Sequence, residues 1–166
     1  MSGVERDKQR VKSTGEVFTP TPLVQEILDG LPPTQFTDTH KTFLDPSCGD
    51  GQFLSEVIIR KMEHGSTYAA ALSTTYGADL MPDNVRECIR RLYMVDDNAI
   101  EEHDCDSVKK RDPSYKWSSG LQFIYWVTSQ HYTGWAKIVC ADGLKYDYSF
   151  GENEQESFGN GLFRFA

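Results

Sequence analysis

The sequence has no apolar run approaching the roughly 20 residues that span a bilayer, so no transmembrane helix and no membrane partner are expected. Its first residues are polar and charged and offer no apolar signal core, which predicts a cytoplasmic protein by default. Cysteine is scarce and shows no pairing pattern: Cys48, Cys88, Cys105 and Cys140 form no CxxC spacing, and His40, His64, His103 and His131 are equally scattered. A zinc site would need ligands gathered from across the chain, so no metal site is predicted and free thiols are expected. Positive charge is also short, with 17 Lys and Arg against 25 Asp and Glu and a net charge of −8. Neutralising phosphates supplies most of the affinity of an autonomous DNA binder. Only Arg6 to Lys12 and Lys109-Lys110-Arg111 are basic, and both read as solvated surface. Weak or no DNA binding by this chain alone is the expectation.

What is present suffices for one domain with a core in 166 residues. Residues 1–14 read as a flexible N-terminal segment, 15–150 as the domain, and 151–166 as an acidic, then Gly-rich and aromatic tail. Thr21 suits a helix N-cap and Pro22 the first helical position, with Leu23, Val24, Ile27 and Leu28 on one face before Gly30 and Pro32-Pro33 stop it. Thr42-Phe43-Leu44 reads as a buried strand. Phe53, Leu54, Val57, Ile58 and Met62 then recur at helical spacing, and Ala69 to Leu72 suggests a second short helix. A second strand at 74–78 and a helix at 83–93 follow. Residues 94–119 read as irregular, within an insertion of about 94–136. Leu121 to Val127 is β-branched and aromatic, hence a strand, and 137–141 is another.

Strand, glycine loop, helix, strand, helix, strand is the grammar of a mostly parallel α/β sheet with flanking helices, in which ligands bind beyond the carboxyl ends of the strands. Each of three predicted strands ends at an aspartate: Asp45, Asp79 and Asp142. Gly49 and Gly51 mark a turn where backbone approaches a ligand with no Cβ in the way. A dinucleotide loop would cradle a pyrophosphate on the following helix N-terminus. Here Asp45 and Asp50 bring negative charge to that place, which suits a cationic ligand instead. S-adenosylmethionine (SAM) carries a sulfonium and an ammonium and no phosphate. Asp79 is suited to ribose hydroxyls, and Asp142 to an adenine amino group.

Leu44 to Leu54 (LDPSCGDGQFL) resembles motif I of adenine-N6 DNA methyltransferases, including the M subunits of type I restriction-modification systems and short phage-encoded methylase-like proteins. Thr14 to Pro20 (TGEVFTP) resembles their motif X, Tyr76 to Asn84 motif II, and Ile138 to Leu144 motif III. The resemblance implies a partial Rossmann-like SAM-methyltransferase fold with SAM as cofactor. It implies that Thr19 and Pro20 lie over the methionine part and that Asp45, Pro46, Cys48, Gly49, Gly51 and Phe53 form the loop. It assigns Asp79 and Leu80 to the ribose, and Asp142 and Gly143 to the adenine.

The family's (Asn/Asp/Ser)-Pro-Pro-(Tyr/Phe/Trp) motif, which holds a flipped adenine, is expected just after motif III. The sequence there is Lys145-Tyr146-Asp147-Tyr148-Ser149-Phe150, and the only Pro-Pro, Pro32-Pro33, lacks the flanking polar and aromatic residues. No catalytic residue is therefore assigned. The expected function is the SAM-binding domain of an adenine-N6 DNA methyltransferase-like protein, with methyl transfer and DNA recognition completed by a second polypeptide or a homodimer. A non-catalytic SAM-binding regulatory or decoy module is the alternative. A nicotinamide oxidoreductase is disfavoured by Asp50 and by the absence of GxGxxG. The catalytic-side strands being missing, Leu121 to Val127, the tail segment Gly161 to Phe165 or a partner chain is expected to cover the edge beside the first strand, the first being favoured as a sheet strand.

Overall fold

Alternation of apolar strands with amphipathic helices builds an α/β sheet. The computed structural model describes residues 16–17, 19–117 and 120–148. Along the chain it forms α1 (Thr21–Asp29), α2 (Thr34–Thr37), β1 (Phe43–Asp45), α3 (Gln52–Glu63), α4 (Tyr68–Ser73), β2 (Thr75–Asp79) and α5 (Pro82–Tyr93). A 3-10 turn at Asp97–Ala99 leads to β3 (Ile100–His103), α6 (Cys105–Arg111), β4 (Leu121–Thr128), β5 (Thr133–Trp135) and β6 (Ile138–Ala141). Among the described residues no helix is long and apolar enough to cross a membrane.

The six strands run in the order β1-β2-β6-β4-β3, with β5 also on β4. β1, β2 and β6 are parallel neighbours, and these are the strands that end at Asp45, Asp79 and Asp142. β4 then runs antiparallel to β6, β3 and β5. The sheet is thus mixed rather than mostly parallel. Antiparallel pairing needs only short connections, whereas each parallel step needs a crossover such as α3 or α5.

β6 shows why both faces are covered there. Ile138 and Cys140 pack with Leu54, Ile58, Ile89 and Leu92 on the helical face, while Val139 and Ala141 pack with Ala78 and Tyr146 on the other. All four β6 residues are buried, as expected of a strand with no solvent face. In α5, Val85, Cys88, Ile89 and Leu92 recur at helical spacing and are all buried. Fully burying a side chain such as Ile89 contributes about 1.5–3 kcal/mol.

Several sequence expectations change. Thr21 is not an N-cap: Pro20 occupies that position and its carbonyl accepts from Leu23 and Val24, while Thr21 Oγ1 accepts from Gln52 Nε2 at 2.5 Å. Residues 94–119, expected to be irregular, supply β3 and α6. The strand Ile-Glu-Glu-His was hidden by its polarity, because only Ile100 is buried and β3 lies at a sheet edge. α2 and β5 were also not foreseen, both being too short to carry a periodic signal. The Leu121 to Val127 run is indeed a strand, but it lies beyond β6 on the side away from β1. Among the described residues β1 pairs with β2 alone, so its outer edge is open; the tail segment Gly161 to Phe165 lies outside them.

Lys61 ties this edge together. It is fully buried in α3, and its Nζ donates to the Lys41 carbonyl and to Thr74 Oγ1, each at 2.6 Å. The ammonium also sits 5.5 Å from the centroid of the Phe43 ring. Burial lowers the Lys61 pKa. One side chain thereby joins α3 to the chain entering β1 and to the chain entering β2. Lys61→Ala removes the shared donor and leaves a cavity, so it is expected to cost about 3 kcal/mol in urea unfolding. A cost below about 1 kcal/mol would show that the buried ammonium is not a tie.

Candidate functional site

The parallel strands put the three aspartate-bearing ends on one rim, and the chain leaving β1 shapes it. Asp45 Oδ1 accepts from the Ser47 N–H at 3.0 Å, turning the backbone at once. Cys48 N–H then donates to the Ala78 carbonyl at 2.9 Å, holding the loop against β2. Gly51 has φ of 84°, and a Cβ there would lie 2.6 Å from Cys88 Sγ. Only glycine satisfies both constraints, and Gly51 is the residue that starts α3.

Asp79 organises the floor. Its Oδ2 accepts from the Gly49 N–H at 3.0 Å, and its Oδ1 accepts from the Met81 N–H at 2.8 Å and from Asn84 Nδ2 at 3.3 Å. Asn84 Nδ2 also donates to Glu16 Oε1 at 2.6 Å, which brings the segment before α1 to the start of α5. Asp45 and Asp79 are thus carboxylates flanking one glycine loop, with Glu16 reached through Asn84, and neither Asp45 nor Asp79 forms an ion pair among the described residues. Burial raises the Asp45 pKa, the Ser47 N–H opposes that rise, and the negative charge of Asp79 adds to it.

Asp50 is different, and the expectation that it presents charge to a ligand is corrected. It is buried, and its Oδ2 pairs with Arg91 Nη2 at 2.8 Å. Arg91 also donates to Gln52 Oε1, so the loop, α3 and α5 share one polar network. Its charge is neutralised inside the scaffold.

Asp142 is tied within its own turn. Its Oδ1 accepts from the Leu144 N–H at 3.1 Å and its Oδ2 meets Lys145 Nζ at 3.2 Å. Lys145 and the backbone N–H hold its carboxyl below the ordinary value. Gly143 presses against the β1 loop: a Cβ there would fall 1.9 Å from the Pro46 carbonyl oxygen.

Of the residues singled out from sequence, Asp45, Pro46, Gly49, Gly51, Asp79 and Gly143 are joined by these contacts. Cys48 is buried beneath the loop beside Cys88, whose thiol is the main cause of its raised pKa, with burial next. Phe53 is half-buried and packs with Leu28 and Val57, lining a hollow of about 310 Å³ that Leu44 and Asp45 also border. Leu80 is 53 % exposed, Thr19 is half-buried, and Pro20 is exposed at the start of α1. Thr14, Gly15 and Phe18 lie outside the described residues.

Asn84 and Arg91 carry contacts that were not assigned to them from sequence. Asn84 could have been suspected as a polar residue in the first turn of a helix beginning beside a strand-end aspartate. Arg91 carried no local signal, because its partner lies 41 residues away. No protein-family model, curated protein or solved structure matches the chain.

Replacing Gly143 forces a methyl into the Pro46 carbonyl. Gly143→Ala is expected to cost about 2–3 kcal/mol in chemical unfolding, the range for an overpacked site. Gly30→Ala, where φ is −72° and the nearest atom is the Ile27 carbonyl at 3.2 Å, serves as the tolerated control. Equal costs at the two positions would remove the argument for a close Gly143–Pro46 approach.

Proposed function

We propose that the chain is the SAM-binding domain of an adenine-N6 DNA methyltransferase-like protein, a cytoplasmic protein of partial Rossmann-like fold that needs a partner chain for methyl transfer. The observation that carries this reading is the pair of carboxylates Asp45 and Asp79 beside a glycine loop at the carboxyl ends of parallel strands, with no ion pair to either among the described residues. A pyrophosphate would be repelled there, whereas a sulfonium and an ammonium are attracted.

The residues fit SAM in kind. A carboxylate has about four lone-pair positions, and Asp79 already uses three, for Gly49, Met81 and Asn84. One remains for a ribose hydroxyl without loss of a scaffold bond. Asp45 and Glu16 would face the cationic methionine end, and the turn at Asp142 and Gly143 would border the adenine. When bound, SAM supplies an electrophilic methyl group. The part of this chain is to hold and orient it and to shield it from water, the contribution that positioning and desolvation make to such a transfer.

The acceptor side has no candidate among these residues. Pro32-Pro33 precedes the short helix α2 rather than following a strand, and the sequence carries no other Pro-Pro. Among the described residues the outer edge of β1 has no partner strand, and this edge, bordered by the hollow that Phe43, Leu44 and Phe53 line, supports a partner that adds a strand there.

Calorimetry with SAM is expected to give saturable binding in the micromolar to millimolar range, abolished or weakened at least about tenfold in Asp79→Ala. Labelled SAM with adenine-bearing DNA is expected to yield no methyl incorporation by the pure chain. No SAM binding by the wild type sinks the cofactor reading, and methylation without a partner sinks the need for one.

The pH dependence follows from Asp45. Its pKa is raised, so it protonates at a higher pH than an ordinary aspartate, and the neutral form attracts the sulfonium less. SAM affinity is therefore expected to fall with decreasing pH, beginning above the pH at which an ordinary aspartate protonates. S-adenosylhomocysteine, which lacks the sulfonium charge, should weaken less over the same interval. Parallel pH profiles for the two ligands would contradict a role for Asp45 at the sulfonium.

A further inference from the structure

The opposite face of the sheet holds a second concavity that shares no residue with the glycine loop. Gly77 turns its missing Cβ toward Leu54 on the α3 side, so its neighbour Tyr76 points to the other face. There Leu44, Tyr76 and Val139 floor a cavity of about 430 Å³, and Tyr115, Trp135 and Tyr148 wall it. This volume lies within the range of small-molecule sites. Flat rings dominate its lining, and such surfaces stack on planar ligands.

One donor group with spare capacity borders it. The Trp135 side chain is 8 % exposed overall, and its buried indole N–H faces the Asp112 carboxylate. Lys137 Nζ donates to the Ser73 carbonyl and lies 5.1 Å from the Tyr76 ring centroid. An ammonium has three N–H donors, so two remain without a partner among the described residues. Burial lowers the Lys137 pKa, as expected for a cation lacking a carboxylate partner.

The local charge also runs against that of the chain. In a protein of net charge −8, Lys116 and Lys137 line this cavity against one carboxylate, Asp112. Asp112 accepts from the Ser114 N–H at 3.0 Å and from Ser114 Oγ at 2.6 Å, so part of its capacity is used within its own turn. A planar body between aromatic rings and an anion at Lys137 describe one ligand chemistry. We propose that this cavity binds a nucleoside 5′-phosphate unit, the base among Tyr115, Trp135 and Tyr148 and the phosphate at Lys137, as a second site separate from the glycine loop.

The intrinsic reporters are in place, since Trp135 lines the cavity and Trp126 packs edge-on against it at 5.0 Å. Titration of the full chain with AMP and UMP is expected to change tryptophan fluorescence saturably. Lys137→Gln should weaken the monophosphates by roughly tenfold while leaving adenosine within about twofold. Lys137→Arg should retain monophosphate binding, and Tyr148→Ala should weaken both ligand types. A short single-stranded oligonucleotide binding more tightly than the monophosphates identifies nucleic acid as the source of the unit, and equal affinity identifies free nucleotide.

The site is refuted by no saturable change up to millimolar monophosphate, by equal loss of adenosine and AMP in Lys137→Gln, or by loss in a folded Lys137→Arg. Displacement of AMP by SAM would likewise refute it, by making the two sites one. Absence of SAM binding with intact AMP binding would instead strike only the cofactor reading.

Discussion

The hydrogen bond from the Gly49 N–H to the Asp79 carboxylate is the contact on which the candidate site depends. Through it the loop after β1 is held against the end of β2, 30 residues away. The same carboxylate receives the first backbone N–H leading into α5 and the amide of Asn84, and Asn84 reaches Glu16. Three donors therefore share one acceptor, and Asn84 carries the network on to Glu16. A charge-assisted bond of this kind is about twice as strong as a neutral one. With Asp79 8 % exposed, much of that strength survives screening by water.

The sheet divides its labour in a way that follows from strand direction. Parallel pairing of β1, β2 and β6 brings the strand-end aspartates to one rim, a placement that the antiparallel strands could not provide. β4, β3 and β5 instead extend the sheet and supply Tyr125 and Val127 to the helical core and Ile124 and Trp135 to the other face. This extension lies on the β6 side only. The cost of that asymmetry falls on β1, which among the described residues has a partner on one edge and hollows near both its faces.

Sequence pattern revealed what is local or periodic. The strand-end aspartates, the glycine turn, α3 and α5 were all readable, because a 3.6-residue period over 12 residues is a strong signal. The strand character of Leu121 to Val127 was readable too. Its neighbour was not, since nothing in LQFIYWV states whether β6 or β1 stands beside it. β3 failed for a different reason: an edge strand needs one buried residue, and Ile100 alone carries no period. The fate of Asp50 was invisible because Arg91 reads as one more cation on the polar side of a helix. Lys61 posed the same problem in reverse, a lysine fully buried in α3 whose partners, a carbonyl and a hydroxyl, leave no charge pattern to read.

Asp45 and Asp50 flank the same turn, and the contrast between them argues for a cationic ligand more strongly than either residue alone. Burying a carboxylate is expensive unless it is paired. The fold meets that requirement at Asp50 with the Arg91 guanidinium. At Asp45 it provides one backbone N–H, and Asp79 stands near enough to raise the Asp45 pKa further. Among the described residues these two carboxylates have no counter-ion, and their like charges repel. A positive ligand relieves that repulsion on binding, whereas a phosphate would add to it. Arg91 shows that a cation can be supplied within the loop's own network, and among the described residues none is supplied to Asp45 or Asp79.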